Sequence, residues 1–317
     1  MSQSDRCSIG VDEELARERQ NGTLPDAGLV HAIHRIRDIG PRFDLSIADI
    51  TAALYQPVNT TGTSTLIADC PFGVHERQRL DIYRPNAAAA GSPVILFVPG
   101  GGYVTGDKQV YGGLYGRLAN FFADHGYLTA VMNYRLAPEF AWPSGIEDVR
   151  AAFEWLHANI AQHGGNPRRI AIFGQSAGAT HAAGYLFGAL DENNVAPWAG
   201  ILLSGVYRFT EEMISPAARQ YFGNAPSLYA ERSPIVHVDR CPIPILVGVA
   251  EFDPPNFVLS AFDLAEALTR RDGQCPDFAL LAAHNHVSTV FGLGSGHDDA
   301  GARIVAFLER LGAKRGH

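Results

Sequence analysis

The chain has 317 residues, 46% of them hydrophobic and 18% charged, with 33 Gly and 19 Pro spread along it. A chain of this length buries roughly 75% of its surface on folding, which provides a sizeable core and excludes a disordered or fibrous architecture. Its 25 Lys plus Arg against 33 Asp plus Glu leave a net charge of −8, so there is no electrostatic footprint for a nucleic-acid backbone or an anionic membrane surface, and a small molecule is the expected partner.

The opening residues, MSQSDRCSIGVDEELARERQ, lack the apolar stretch of a secretory signal, and runs such as Val94 to Val98 fall short of a membrane span. The chain reads as cytoplasmic and without membrane attachment. From residue 11 to about 55, charged helix formers lead into GLVHAIHRIRDIG and SIADITAALY before Pro57. This N-terminal segment, 1–55, is expected to form a helical cap. Cys7, Cys70, Cys241 and Cys275 are too far apart for a C-x-x-C pair and have no histidine at metal spacing, which points to reduced thiols rather than a zinc cage or a disulfide framework.

From about residue 92, short runs rich in Val, Ile and Leu alternate with segments of helical period, the signature of a mostly parallel sheet flanked by helices in an α/β domain, 56–317. Strands are expected at 94–98, 127–133, 170–173, 200–203, 245–249 and 278–282. The clearest helix spans 145–163, with Ile146, Val149, Phe153, Leu156 and Ile160 on one face, and is stopped by Gly164, Gly165 and Pro167. Residues 206–240 break the alternation and carry Phe209, Met213, Tyr221, Phe222 and Tyr229. A connection of that length suggests a lid-like insertion.

Gly174-Gln175-Ser176-Ala177-Gly178 lies between the strand candidate IAIF and a small-residue helix. A serine on such a tight turn has its hydroxyl pushed into the open, with the free amides of a helix N-terminus behind it. As a nucleophile it needs a base, a group to orient that base, and donors for the developing oxyanion. In this arrangement the acid and then the histidine follow the serine in chain order. Asp253 in AEFDPP, at a strand's carboxyl end, is the preferred acid, because Pro254 can open the next helix; Glu251 competes. His286 in AHNHVS is the preferred base, with His284 and His297 as competitors. The loop Pro99-Gly100-Gly101-Gly102-Tyr103 is where the donors should lie; it is not followed by the G-K-[ST] of a phosphate loop.

The elements PGGGYVTGDK, NYRLAPEFAWPSGIEDVRAAFEWL, GQSAG, EFDP and NHVS, in that order, resemble the α/β-hydrolase superfamily, specifically its hormone-sensitive-lipase-like and feruloyl-esterase-like carboxylesterases, over roughly residues 75–315. The resemblance implies Ser176 as nucleophile, Asp253 as acid and His286 as base. It places the oxyanion donors at the amides of Gly101, Gly102 and Ala177, and gives Tyr134, Arg135, Glu139, Asp107 and Asp148 supporting roles. It also suggests a homodimer. Pro99 stands where the lipase-like branch usually has a histidine, so the hydrogen bond which that imidazole gives the loop must come from elsewhere. NHVS is closer to the feruloyl-esterase and arylformamidase branch.

The expected reaction is hydrolysis of small, moderately apolar or aromatic carboxylic esters through an acyl-enzyme, a chemistry that requires neither a metal nor an organic cofactor. An aryl-amide or formamide amidase is the alternative, and a non-catalytic small-molecule receptor is a reading from another class. Tyr103, Tyr207, Phe209, Phe222 and Phe257 are the candidate pocket aromatics.

Overall fold

The structure is a computed structural model that describes residues 27–56, 62–87, 90–188, 195–240 and 243–314. Residues 1–26 of the expected N-terminal segment, Pro57, Cys7 and Cys241 therefore lie outside the described residues, while Cys70 and Cys275 are unpaired thiols.

Two helices come first, α1 (Ala27–Ile39) and α2 (Leu45–Leu54), the second capped by the Asp44 carboxylate, which accepts from the Ile47 amide. There follow β1 (Ser64–Pro71), β2 (Arg79–Pro85), β3 (Ser92–Val98), α3 (Leu114–Asp124), β4 (Leu128–Met132), α4 (Ser144–Asn159), β5 (Gly165–Gln175), α5 (Ala177–Gly188) and β6 (Ala199–Leu203). The chain continues through the short helices α6 (Pro216–Phe222) and α7 (Tyr229–Arg232), then β7 (Ile245–Phe252), α8 (Pro255–Asp272), β8 (Asp277–Asn285), α9 (Ser288–Phe291) and α10 (Asp299–Lys314). No helix among the described residues is long and apolar enough to cross a membrane.

The eight strands form one sheet in the order β1-β2-β4-β3-β5-β6-β7-β8; β1, β2 and β4 pair antiparallel in turn, and every pairing from β4 through β3 to β8 is parallel. Parallel strands buried on both faces read as unbroken apolar runs, which is why β3 to β7 were legible in the sequence; the edge strand β8 was legible from its FALLAA run although several of its positions are exposed. β1 and β2 were not expected. β1 is an edge strand with most positions partly or fully exposed, and its STLIADCP carries no continuous apolar run. β5 also starts earlier than expected, because Gly165 pairs with Ser92 ahead of a register irregularity that accommodates Pro167.

Alternation along β3 divides the core. Val94, Leu96 and Val98 face α4, α5 and α8, where Val149, Phe153, Ala182, Leu186, Leu264 and Leu268 are buried. Ile95 and Phe97 face the other layer, with Leu118 and Phe122 of α3, Ile304 and Leu308 of α10, and Ala32, Ile36, Ala48 and Ala52 of the N-terminal helices. Each fully buried aliphatic of this kind contributes about 1.5–3 kcal/mol, so both layers hold the sheet. The α4 stripe matches the sequence pattern; the helix gives way to a 3-10 turn at Ile160–His163 and stops at Gly164, whose φ is +87°. The strand order sets the loops after β3, β5, β6, β7 and β8 side by side along one edge of the sheet, the usual place for sites in open α/β sheets.

Candidate active site

Ser176 sits between β5 and α5 with φ +56°, a conformation an L-residue adopts only when its surroundings hold it there. The flanking glycines make the turn possible. A Cβ on Gly178 would lie 2.1 Å from the Val98 carbonyl oxygen, so the helix could not approach β3 with any other residue. The Ser176 amide donates to the Leu203 carbonyl at 2.9 Å, anchoring the turn to β6.

The three expected side chains are in line. His286 Nδ1 is 2.7 Å from Asp253 Oδ1 and its Nε2 is 2.8 Å from Ser176 Oγ. A carboxylate only accepts, so Nδ1 carries the proton and donates it to Asp253, which leaves Nε2 to accept from the serine hydroxyl. The second oxygen of Asp253 accepts from the Ala250 amide at 2.8 Å and from Ser204 Oγ at 2.6 Å. Asp253 and His286 are buried, and Ser176 is only 8% exposed.

None of the competitors joins this line. Glu251 Oε2 instead accepts from the Ala283 amide at 2.7 Å, supporting the end of β8, where Ala283 takes φ +60°. His284 is hydrogen-bonded to Ser288, and His297 to the Tyr55 hydroxyl. Burial, with the neighbouring His284 as a second cause, pushes the His297 imidazole down to about 3.

The loop after β3 turns through Gly101, where φ is +141° and a Cβ would lie 2.0 Å from the Thr105 carbonyl oxygen, so only glycine fits. Among the described residues, none accepts a hydrogen bond from the amides of Gly101, Gly102 or Ala177. Pro99 leaves the loop without an imidazole; the Tyr134 hydroxyl takes over by donating to the Pro99 carbonyl at 3.1 Å. Asp148 holds Arg135 by its amide at 2.7 Å and its guanidinium at 2.8 Å, and Asp107 accepts from Gln109 and Asn133. Both carboxylates thus support the backbone around the loop.

Of the expected aromatics, Tyr103, Phe209 and Phe222 form one buried cluster with Ala177, Tyr221 and Tyr229, with Trp142 and Phe257 packed against it. Tyr103 is stacked on Tyr221 at 5.3 Å and meets Phe222 edge-on at 5.3 Å. Tyr207 is not among them. In the irregular stretch after β6, Val206 and Phe209 join the cluster while Tyr207 enters the main core, with its ring over Gly205 and its amide bound to Ser260 Oγ at 2.7 Å. Its assignment to the pocket is corrected accordingly.

Four residues near the three side chains were not singled out from the sequence. Ser204 braces Asp253. Gln175 Nε2 donates to the His286 carbonyl at 2.7 Å, so the serine turn itself holds the base. Phe43, from the connection between α1 and α2, packs against the His286 ring at 4.2 Å between centroids, and Phe257 does so at 4.3 Å. His181 on α5 is enclosed by the rings of Tyr103, Tyr134 and Tyr221, and burial pushes it down to about 3. It is held neutral among these rings.

The family model described as BD-FAE matches residues 80–199. Esterase LipQ of Mycobacterium tuberculosis is 33% identical over 226 residues, which cover 62% of this chain and 52% of LipQ. The probable carboxylic ester hydrolase LipM of the same organism is 30% identical over 246 residues, covering 71% of this chain and 56% of LipM. The chain spans about half the length of these curated relatives. Among solved structures, a tributyrin-phosphonate-inhibited esterase B from Lactobacillus rhamnosis is similar at TM-score 0.72 and 17% identity, covering 90% of this chain and 96% of that one.

Proposed function

We propose that this chain, which has the α/β-hydrolase fold, is a serine carboxylesterase acting on small, moderately apolar or aromatic esters. The observation that carries the reading is the unbroken hydrogen-bonded line from Ser176 through His286 to Asp253. Ser176 Oγ attacks the ester carbonyl while His286 Nε2 takes its proton, and the protonated ring then passes that proton to the departing alcohol. The negative oxygen of the tetrahedral intermediate rests on the unspent amides of Gly101, Gly102 and Ala177. Water, activated by the same imidazole, releases the acid. Asp253 keeps the ring in the tautomer that leaves Nε2 free and stabilises the imidazolium as it forms.

The acyl side is read from the aromatic cluster of Tyr103, Phe209 and Phe222 beside Ala177. Its rings offer apolar contact to a short or aromatic acyl group. In this reading α1, α2 and residues 206–240 form a cap over the catalytic edge of the sheet. The esterase names of the relatives support an ester over an amide.

Hydrolysis of p-nitrophenyl esters of graded acyl length, alongside matched anilides, tests the proposal on the wild type and on Ser176→Ala. The serine variant should lose about 10⁶ in kcat, and short acyl esters should be cleaved in preference to the anilides. If Ser176→Ala kept more than about 1% of wild-type kcat, the nucleophile would be wrong. Faster cleavage of the anilides would make the enzyme an amidase.

A further inference from the structure

A second cluster of side chains lies beside the turn that carries the base, and the hydrolytic line does not use it. His284, at the end of β8, and His297, just before α10, stack ring on ring with 3.6 Å between centroids and 12° between planes. They are 0% and 2% exposed. Each binds a hydroxyl through Nδ1, His284 to Ser288 Oγ at 3.0 Å and His297 to the Tyr55 hydroxyl at 2.8 Å. Ser288 Oγ already donates to the Asn285 carbonyl at 3.3 Å and accepts from the Asn285 amide at 2.9 Å. It therefore receives the Nδ1–H of His284, and the Nε2 of that ring presents a bare lone pair.

Neither Nε2 has a hydrogen-bond partner among the described residues. Asp299, in the first turn of α10, brings a carboxylate oxygen to 3.7 Å from His284 Nε2, and the ligand atoms of the three residues all lie within 4.8 Å of one another. The bare Nε2 of His284, buried and facing the Asp299 carboxylate, is costly, and a cation between them removes that cost. Two imidazoles and one carboxylate suit zinc and its neighbours rather than magnesium or calcium, which prefer all-oxygen shells. Zinc bonds of about 2.0–2.2 Å to nitrogen and oxygen require the three ligand atoms to draw together and the two rings to turn out of their stack so that both lone pairs point at the ion. An Nδ1–H held by a hydroxyl is the kind of outer contact that orients a metal-binding imidazole. The Asp299 side chain is 67% exposed, which gives a cation a way in and leaves room for water as a further ligand.

We propose that His284, His297 and Asp299 bind a divalent transition cation of the zinc class, tying the end of β8 to the start of α10. The site is independent of the hydrolase reading. The test uses the untagged full chain, stripped with a chelator and titrated with Zn²⁺ against the chromophoric competitor 4-(2-pyridylazo)resorcinol, with Mg²⁺ in parallel. The wild type should retain about one Zn²⁺ per chain, show no competition from Mg²⁺, and melt at a higher temperature with Zn²⁺ present. Asp299→Ala should weaken binding by about ten-fold or more, and His297→Phe, which keeps a ring but no nitrogen, should abolish it. Asp299→Ala alters an exposed side chain, so the comparison survives if His297→Phe folds poorly. No Zn²⁺ retained by the wild type would leave the cluster as a His284–Asp299 ion pair and overturn the proposal. Undiminished affinity in Asp299→Ala would overturn it equally, by placing the cation on other histidines.

Discussion

Ser204 shows how a catalytic line depends on a residue outside it. Its hydroxyl donates to Asp253 Oδ2 at 2.6 Å, and its backbone takes φ +51°. Ser204→Gly therefore removes the hydroxyl without straining the turn, leaving the Ala250 amide to hold that carboxylate oxygen. A hydrogen bond to a charged group is worth about 1.5–3 kcal/mol, so kcat should fall at least about ten-fold with KM little changed. A lowered melting temperature with kcat intact would mean that Ser204 serves packing alone. The sequence made Ser176, Asp253 and His286 legible because each sits where an apolar strand ends in a polar turn, in the required chain order. Ser204 ends a strand in the same way, but a serine there has many ordinary uses and no partner nearby in sequence. Gln175 occupies the variable position of G-x-S-x-G, and its contact with the His286 carbonyl spans a separation of 111 residues.

At the scale of elements, the base is supported from two parts of the chain. Phe257 opens α8 directly after the acid, so its approach to His286 follows from the β7–α8 turn. Phe43 arrives from the connection between α1 and α2, and nothing local in RFDLS marks it as a contact of a ring 243 positions away in a 317-residue chain. Aromatic contacts of this geometry add about 0.5–1.5 kcal/mol beyond burial. Phe43→Ala removes one of the two rings packed against the imidazole and admits water to it, so kcat should drop about three- to ten-fold while α1 and α2 stay folded. Circular dichroism and steady-state kinetics on the same preparation check this. An unchanged kcat would show that the ring is held by Asp253 and Phe257 alone. The elements themselves divided by composition: β3 to β8 were readable as apolar runs, whereas the exposed edge strand β1 and the buried but Arg- and Asp-bearing β2, RLDIYRP, carry polar positions that dilute the pattern.

Across the whole molecule, the sequence pattern supplied the alternation of strands and helices but neither the strand order nor the ties between the chain's two ends. One such tie is Arg117 on α3. Though 5% exposed, its guanidinium donates to the carbonyls of Tyr55, Phe291 and Leu293, at 2.8, 2.5 and 3.0 Å. It thereby joins the end of the N-terminal helices to the turn after β8. Burial alone would disfavour a cation here, but three carbonyl acceptors compensate for it. In the sequence Arg117 is one of 25 basic residues, and a helical position gave no reason to place it inside. Arg117→Met retains most of the side chain's bulk but leaves three inward carbonyls without their donor. Each unsatisfied buried group costs about 1–3 kcal/mol, so global stability should fall by at least about 3 kcal/mol in urea unfolding. The loss should not be uniform. Because Tyr55 follows α2 directly, amides of residues 27–56 should lose hydrogen-exchange protection before those of β3 and β5, and activity should fall with them as Phe43 leaves the His286 ring. Uniform loss of protection across the sheet would show that Arg117 holds the core as a whole, and that the N-terminal helices do not respond separately to its removal.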